Sequence, residues 1–241
     1  MFEAGLSREF LCRFDVQAVM LPENSLWLSH VLTPETPAYG DGEQMRVEPM
    51  TRISRGDTAN TTRYSIPNHL GTHLDAPLHF ADGASSLTDY DPDFWMFDRP
   101  QLIDVPGEDG YLVSPADLVE PLEEGTDLLL LRTGYEEYRA EDRYWQRNPG
   151  LHPDLGHWLR TERTTVRMVG MDVISVTSRL YREEGREAHR ALLDPARPGD
   201  PVLALEDMAL QHVEGVLARV IVAPLRVQSA DGGPCTVIGF T

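Results

Sequence analysis

Residues 68 to 80 read Asn-His-Leu-Gly-Thr-His-Leu-Asp-Ala-Pro-Leu-His-Phe, so three of the chain's eight histidines, His69, His73 and His79, stand with Asp75 inside eleven residues. Imidazole nitrogen combined with carboxylate oxygen is a donor set suited to zinc, manganese or iron, and one aspartate has two oxygens with which to bridge two ions. His69 and His73 have the spacing of one helix face, but Gly71 and Thr72 are poor helix interior residues and Pro77 would remove a backbone donor. In an extended segment side chains alternate, which turns His69, His73, Asp75 and His79 to one side and Leu70, Leu74 and Leu78 to the other. The spacing therefore predicts a half-buried strand with a ligand-bearing face. A surface strand with a chance cluster of histidines is the plain alternative.

The elements that must position this segment are strands and helices in alternation. Strand patterns run over Ser25 to Leu32, Gln101 to Val105, Asp127 to Leu131, Val166 to Met171, Val202 to Glu206, Val216 to Val222 and Cys235 to Phe240. The run from Asp127 to Leu131 is almost wholly apolar, as in a strand covered on both faces. Ser114-Pro-Ala-Asp117 offers a capping serine and a proline at the first helical position, and His152 to Arg160 reads as a second helix. No internal repeat interrupts this order. The fold class expected is α/β, as one domain over residues 26–241, with residues 1–25 as an added arm or a disordered tail.

At 241 residues and 41% apolar composition the chain is long enough for one domain with a full core. No apolar run reaches the length of a membrane span, and the first residues lack the basic start and apolar core of a signal peptide. Two cysteines, Cys12 and Cys235, cannot build a disulfide framework, so the expectation is a reduced, cytoplasmic protein. The net charge is -18, and all 21 basic residues are arginine. With no lysine, neither a Schiff-base enzyme nor a Walker-type phosphate loop is available. An acidic surface also repels phosphate backbones, which excludes nucleic acid and leaves a small molecule as the expected partner.

The run from His69 to Phe80 resembles the signature H-x-G-T-H-x-D-x-P-x-H of the cyclase-type metal-dependent hydrolases, which include bacterial kynurenine formamidases and isatin hydrolases. Leu131-Arg-Thr-Gly-Tyr135 and Val169-Gly-Met-Asp172 with Ser175 are similar to two further landmarks of that family. The resemblance implies a swivelling β/β/α architecture and a homodimer or higher homo-oligomer. It also implies a site for divalent metal, zinc or manganese, two per subunit, in which His189 and Glu206 join His69, His73 and Asp75. Tyr39, in a loop like the family's Pro-aromatic-Gly loop, becomes a candidate substrate contact. Phe80 and Trp95 are candidates for an apolar substrate wall, with core packing as the alternative. Asp172 and Ser175 are expected to support the site through hydrogen bonds rather than bind metal. The spacing from His189 to Glu206 is longer than the family pattern, with Asp194 to Asp200 as an inserted loop. The choice between Glu206 and Asp207 stays open, because a strand can turn only one of two adjacent side chains to the metals.

Coordination to such ions lowers the pKa of water from about 16 to about 7. His79 lies beyond the ligands, and the ordinary pKa of an imidazole, about 6.5, suits proton transfer at neutral pH. His79 is therefore the expected proton shuttle, with a fifth-ligand or structural role as its alternative. The function expected is hydrolysis of an amide C–N bond by metal-activated water, with an aryl formamide such as N-formylkynurenine as leading substrate. Ring opening of a cyclic amide or lactone is the runner-up, and a non-catalytic metal-binding protein on the same fold is a reading of another class.

Overall fold

A computed structural model describes residues 24–40, 42–118 and 120–241. The arm expected over residues 1–25 lies outside them but for its last two, and Ser25 already opens the first strand. In chain order the elements are β1 (Ser25–Trp27), the hairpin β2 (Arg46–Thr51) and β3 (Thr61–Ser65), β4 (His73–Asp75), β5 (Met96–Phe97), β6 (Pro100–Asp104), β7 (Leu112–Val113) and β8 (Leu128–Arg132). There follow α1 (Arg143–Gln146), β9 (Gly150–Leu151), α2 (Pro153–Glu162), β10 (Met168–Met171), α3 (Arg182–Leu193), β11 (Leu203–Glu206), β12 (Arg219–Pro224) and β13 (Gly232–Phe240). None of the described helices is long and apolar enough to cross a membrane.

One mixed sheet of nine strands has the order β5-β12-β13-β4-β11-β10-β8-β6, with β1 added on β13. Strands β6, β8, β10 and β11 run parallel, while β4 lies antiparallel between β11 and β13. A short segment thereby sits in the middle of the sheet, where its backbone is fixed from both sides. Period-two alternation divides the core across the sheet. Leu129, Leu131, Val169, Met171 and Ala204 face α2 and α3, where Leu155, Leu159, Ala188 and Leu192 complete one cluster. Leu128, Leu130, Met168, Leu203, Leu205 and Leu74 face the opposite way onto Phe97, Val220, Val222 and Val237. This two-sided burial explains why β8 carries no polar alternation.

Two local expectations are corrected. The extended run expected over 68 to 80 is a strand only at His73–Asp75. Gly71 turns the chain at φ +68 before it, and Pro77–His79 forms a 3-10 turn after it. The helix expected from Ser114 is only the 3-10 turn Pro115–Asp117, closed by a reciprocal capping box between Ser114 and Asp117. Pro121 follows four residues later and pushes its predecessor out of the helical region, which leaves that turn nothing to grow into. The hairpin β2–β3 falls outside the strand patterns of the sequence. Its strands are mostly solvent-exposed, and Val47, Met50 and Tyr64 stand on its surface.

Candidate metal centre

Strand β4 brings His73 and Asp75, two residues apart, to the sheet face covered by α3. The register sets Glu206 of β11 directly opposite His73, and Gly232 of β13 directly opposite Asp75. Opposed residues share a face with Cβ atoms roughly 4.5–5.5 Å apart, so backbone pairing alone delivers three ligand side chains to one place. At Gly232 the missing side chain leaves room for the ring of His69, since a Cβ there would meet His69 Cε1 and the Leu74 carbonyl. Helix α3 supplies His189. Its Nε2 lies 3.3 Å from Asp75 Oδ2 and 3.4 Å from Glu206 Oε1, while His73 Nε2 lies 3.2 Å from Glu206 Oε2 and 3.6 Å from Asp75 Oδ1.

Both buried imidazoles are oriented by their other nitrogen. His73 Nδ1 donates to the Gly71 carbonyl at 2.8 Å, and His189 Nδ1 donates to the Gly185 carbonyl at 2.9 Å with Thr177 Oγ1 at 3.1 Å. This is the outer hydrogen bonding that presents Nε2 to a metal. Glu206 Oε1 accepts from the Val176 N–H at 2.6 Å and from the Ser175 hydroxyl at 3.2 Å. His69 is held between carboxylates, with Nδ1 2.8 Å from Asp75 Oδ1 and Nε2 3.0 Å from Asp231 Oδ2.

The charge balance of the cluster fits divalent cations. Burial disfavours charge on His73 and His189, but hydrogen bonds and attraction from Glu206 and Asp75 win and hold them up at about 9 and about 10. Burial would likewise raise Asp75 and Glu206; their histidine partners hold Asp75 well below the carboxylate range and Glu206 at about 2. Two buried carboxylates are thus balanced by imidazolium protons, and a cation ligated at Nε2 would displace those protons. The groups His69–His73–Asp75 and Asp75–His189–Glu206 each offer three ligand atoms within 4.8 Å of one another, and they share Asp75. That arrangement suits a carboxylate-bridged pair of ions.

His79 comes from the 3-10 turn beyond Asp75, its ring centroid 4.1 Å from that of His69 and 6.2 Å from that of His189. Its Nδ1 lies 3.0 Å from Asp231 Oδ2, and with His69 the three form a further group of possible ligands.

Residues 26–178 match the family model described as "Putative cyclase". The chain belongs to the cyclase family. Cyclase-like protein 1 of Arabidopsis thaliana is 29% identical over 222 residues, covering 88% of this chain and 82% of that one. A kynurenine formamidase of Bacillus cereus is 28% identical over 181 residues, covering 75% and 80%. Among solved structures, isatin hydrolase A from Labrenzia aggregata bound to benzyl benzoate superposes with a TM-score of 0.74 at 20% identity, over 90% of this chain and 93% of that one. That likeness places the domain in the swivelling β/β/α architecture that the signature implied. The family match ends before His189 and Glu206, so it is the tertiary structure that brings those two to the signature residues.

In this cyclase-family chain a cavity of about 270 Å³ opens over the cluster. Tyr39 and Phe80 line it, together with Ile174, Arg182 and Arg186. Phe80 stacks on His189 with centroids 4.5 Å apart and planes 13° from parallel, which pins the imidazole from the cavity side. The Tyr39 hydroxyl is shielded from solvent and has no hydrogen-bond partner among the described residues. Trp95 is not brought to this wall. It is buried on the opposite side of the sheet against Tyr90 and Phe94, because β5 and the turn before it pack onto β12. Ser175 reaches the site through Glu206, but Asp172 does not. Asp172 accepts from Thr133 N–H and hydroxyl at 2.8 and 2.7 Å and from Gly134 N–H at 2.8 Å, which fastens the turn after β8. Asp207 is turned away from the cluster. Both its oxygens take Arg139, at 2.8 and 2.7 Å, and the Tyr144 hydroxyl donates to it at 2.6 Å. Asp231 is the site residue that the sequence reading missed. Its Asp-Gly-Gly-Pro context signals a turn and nothing of the histidines it meets.

Proposed function

We propose that this protein is a metal-dependent amidohydrolase whose leading substrate class is an aryl formamide. The observation that carries the reading is the convergence of His73 and His189 Nε2 on Asp75 and Glu206, with each Nδ1 engaged elsewhere, beneath a cavity that also holds an imidazole outside that buried set. The kynurenine formamidase relatives support the choice of a formamide.

His69, His73, Asp75, His189 and Glu206 would hold zinc or manganese, two ions per subunit. A bound divalent ion supplies Lewis-acid polarisation of a carbonyl and makes water acidic enough to act at neutral pH. The chain's own residues do the rest. Phe80 and Ile174 form an apolar wall for an aryl ring, and the Tyr39 hydroxyl offers a hydrogen bond to a substrate oxygen. His79, its Nδ1 donating to Asp231, keeps Nε2 free to take a proton from water and pass it to the amide nitrogen as the C–N bond breaks. The oxygen of water ends on formate, and the amine leaves neutral. A homodimer or higher homo-oligomer belongs to the same reading, with the exposed apolar side chains of β2–β3 as its contact.

The test is elemental analysis of the purified protein, followed by assay of formamides, cyclic imides and lactones with added manganese or zinc. Turnover of an aryl formamide that disappears with chelator supports the reading. Turnover of a cyclic amide or lactone alone would move the substrate class to ring opening, and a metal-loaded protein inert to every compound would make the site non-catalytic.

A further inference from the structure

Glu206 owes its place to more than its strand. The chain leaves β11 through Asp207, whose φ of +52 makes it one of two non-glycine residues with positive φ among those described. Such a backbone persists only where its surroundings hold it. Asp207 is buried, and each of its polar groups is taken. Its N–H donates to the Val173 carbonyl at 2.8 Å, and its own carbonyl accepts from the Thr72 hydroxyl. Its carboxylate accepts from Arg139 Nε and Nη2 at 2.8 and 2.7 Å and from the Tyr144 hydroxyl at 2.6 Å. Both partners come from the connection that follows β8, more than sixty residues earlier in the chain.

Thr72 and Asp207 are the sequence neighbours of His73 and Glu206, the two residues that oppose each other across β4 and β11. The bond from the Thr72 hydroxyl to the Asp207 carbonyl therefore ties the backbone before one candidate ligand to the backbone after the other. Thr72 is itself fixed, its hydroxyl accepting from the His30 N–H at 2.9 Å and its carbonyl from the Cys235 N–H at 3.0 Å. Val176 and Ser175 hold Glu206 at its carboxylate, and Asp207 holds it at the backbone, where the direction of Cβ is set. Glycine or asparagine would meet the left-handed conformation without a charge. An aspartate instead puts a second buried carboxylate next to Glu206, and a guanidinium must balance it. A buried ion pair is a weak source of stability, and its better use is to select one arrangement among several. The alternatives here are two acids adjacent in sequence, either of which suits a divalent ion. We infer that Asp207 is a positioning residue of the candidate metal centre. Clamped by Arg139 and Tyr144, it fixes the backbone of Glu206 and, through Thr72, that of His73, so that the two side chains meet a cation in a single geometry.

The inference rests on the reading of the cluster as a metal site, and titration of cobalt(II) into the metal-free protein tests the two separately, through its affinity and its visible absorption. Asp207→Gly keeps the left-handed backbone and removes the clamp. It should bind cobalt about 10- to 100-fold more weakly than the wild type and with an altered spectrum. Asp207→Asn tolerates the same backbone and keeps one side-chain oxygen for Arg139 and Tyr144, so it should recover part of both losses. Thr72→Val breaks the tie to His73 and should weaken binding as well, with Thr72→Ser restoring it. That pair keeps the test decisive if Asp207→Gly does not fold. Thermal melting of the metal-free variants exposes a merely structural role, in which the melting temperature falls while cobalt affinity and spectrum stay those of the wild type. That result would overturn the positioning role and leave the metal reading standing. Cobalt refused by the wild type would overturn the metal reading, and the positioning role with it.

Discussion

Asp231 and His79, 152 residues apart in sequence, meet at 3.0 Å between Oδ2 and Nδ1, and the same oxygen lies 3.0 Å from His69 Nε2. Burial works against the charge of Asp231, but the two histidines outweigh it and hold its carboxyl below the usual range. It is therefore an anion throughout the neutral region, ready to fix the ring of His79 with Nδ1 protonated and Nε2 free. Asp231→Asn removes that anchor. The expected outcome is a fall in kcat of about ten- to hundredfold with KM little changed, together with an altered alkaline or acid limb of the pH–rate profile. Unchanged kcat would make the contact incidental.

For His79 itself, replacement by alanine should lower kcat by roughly 10²–10⁴-fold and leave the metal content near that of the wild type. Elemental analysis beside the rate decides the matter. Loss of an ion with the activity would transfer His79 to the ligands, in company with Asp231 and His69.

Proton release should accompany metal uptake. In the metal-free cluster His73 and His189 hold their protons up to about 9 and about 10. Binding zinc or manganese near pH 7 should then expel about two protons, measurable by calorimetry in buffers of different ionisation enthalpy. The same shifts fix a stability trend. Both values lie above the ordinary histidine pKa of about 6.5, so their contribution to metal-free stability is complete below that value. It is lost as the pH rises through 9 to 10, and the melting temperature of the metal-free protein should fall across that range. The metal-loaded protein should lack this histidine-linked part of the fall.

Gly232 is a second handle on the site. Its alanine variant places a methyl group against His69 Cε1 and the Leu74 carbonyl, the second of which is backbone in the centre of the sheet. We expect Gly232→Ala to weaken metal binding by displacing His69 and to cost about 1–3 kcal/mol of stability through overpacking. Metal titration and thermal melting read the two effects separately.

Arg160 should behave differently, as a residue of the fold alone. Its guanidinium is buried and donates to five carbonyls: Ala191, Leu192 and Asp194 through Nη1, and Arg197 and Gly199 through Nη2. It thereby closes the end of α3 onto the loop that lengthens the path to Glu206. Arg160→Met leaves those carbonyls unpartnered, and a loss of about 3–5 kcal/mol is expected, seen as a lowered denaturation midpoint. A variant that still folds should retain its metal.

Local chemistry determined what the sequence could show. Residue types and spacings in 69 to 79 specified a donor set able to hold a metal, apolar periodicity specified an α/β domain, and strand alternation stated that Glu206 and Asp207 must part ways. Which of the two faces the histidine cluster was left to the pairing of β11 with β4, where His73 stands opposite Glu206. Trp95 and Phe80 look alike as aromatics near the signature, yet the sheet separates them onto opposite faces. Asp172 and Asp231 gain their partners from chain segments tens to well over a hundred residues away, and Arg182 and Arg186 reach the cavity lining through the packing of a whole helix. Periodicity carries the orientation of a side chain within its own element. The partner across the gap is set by register and packing between elements, and these exist only once the chain has folded.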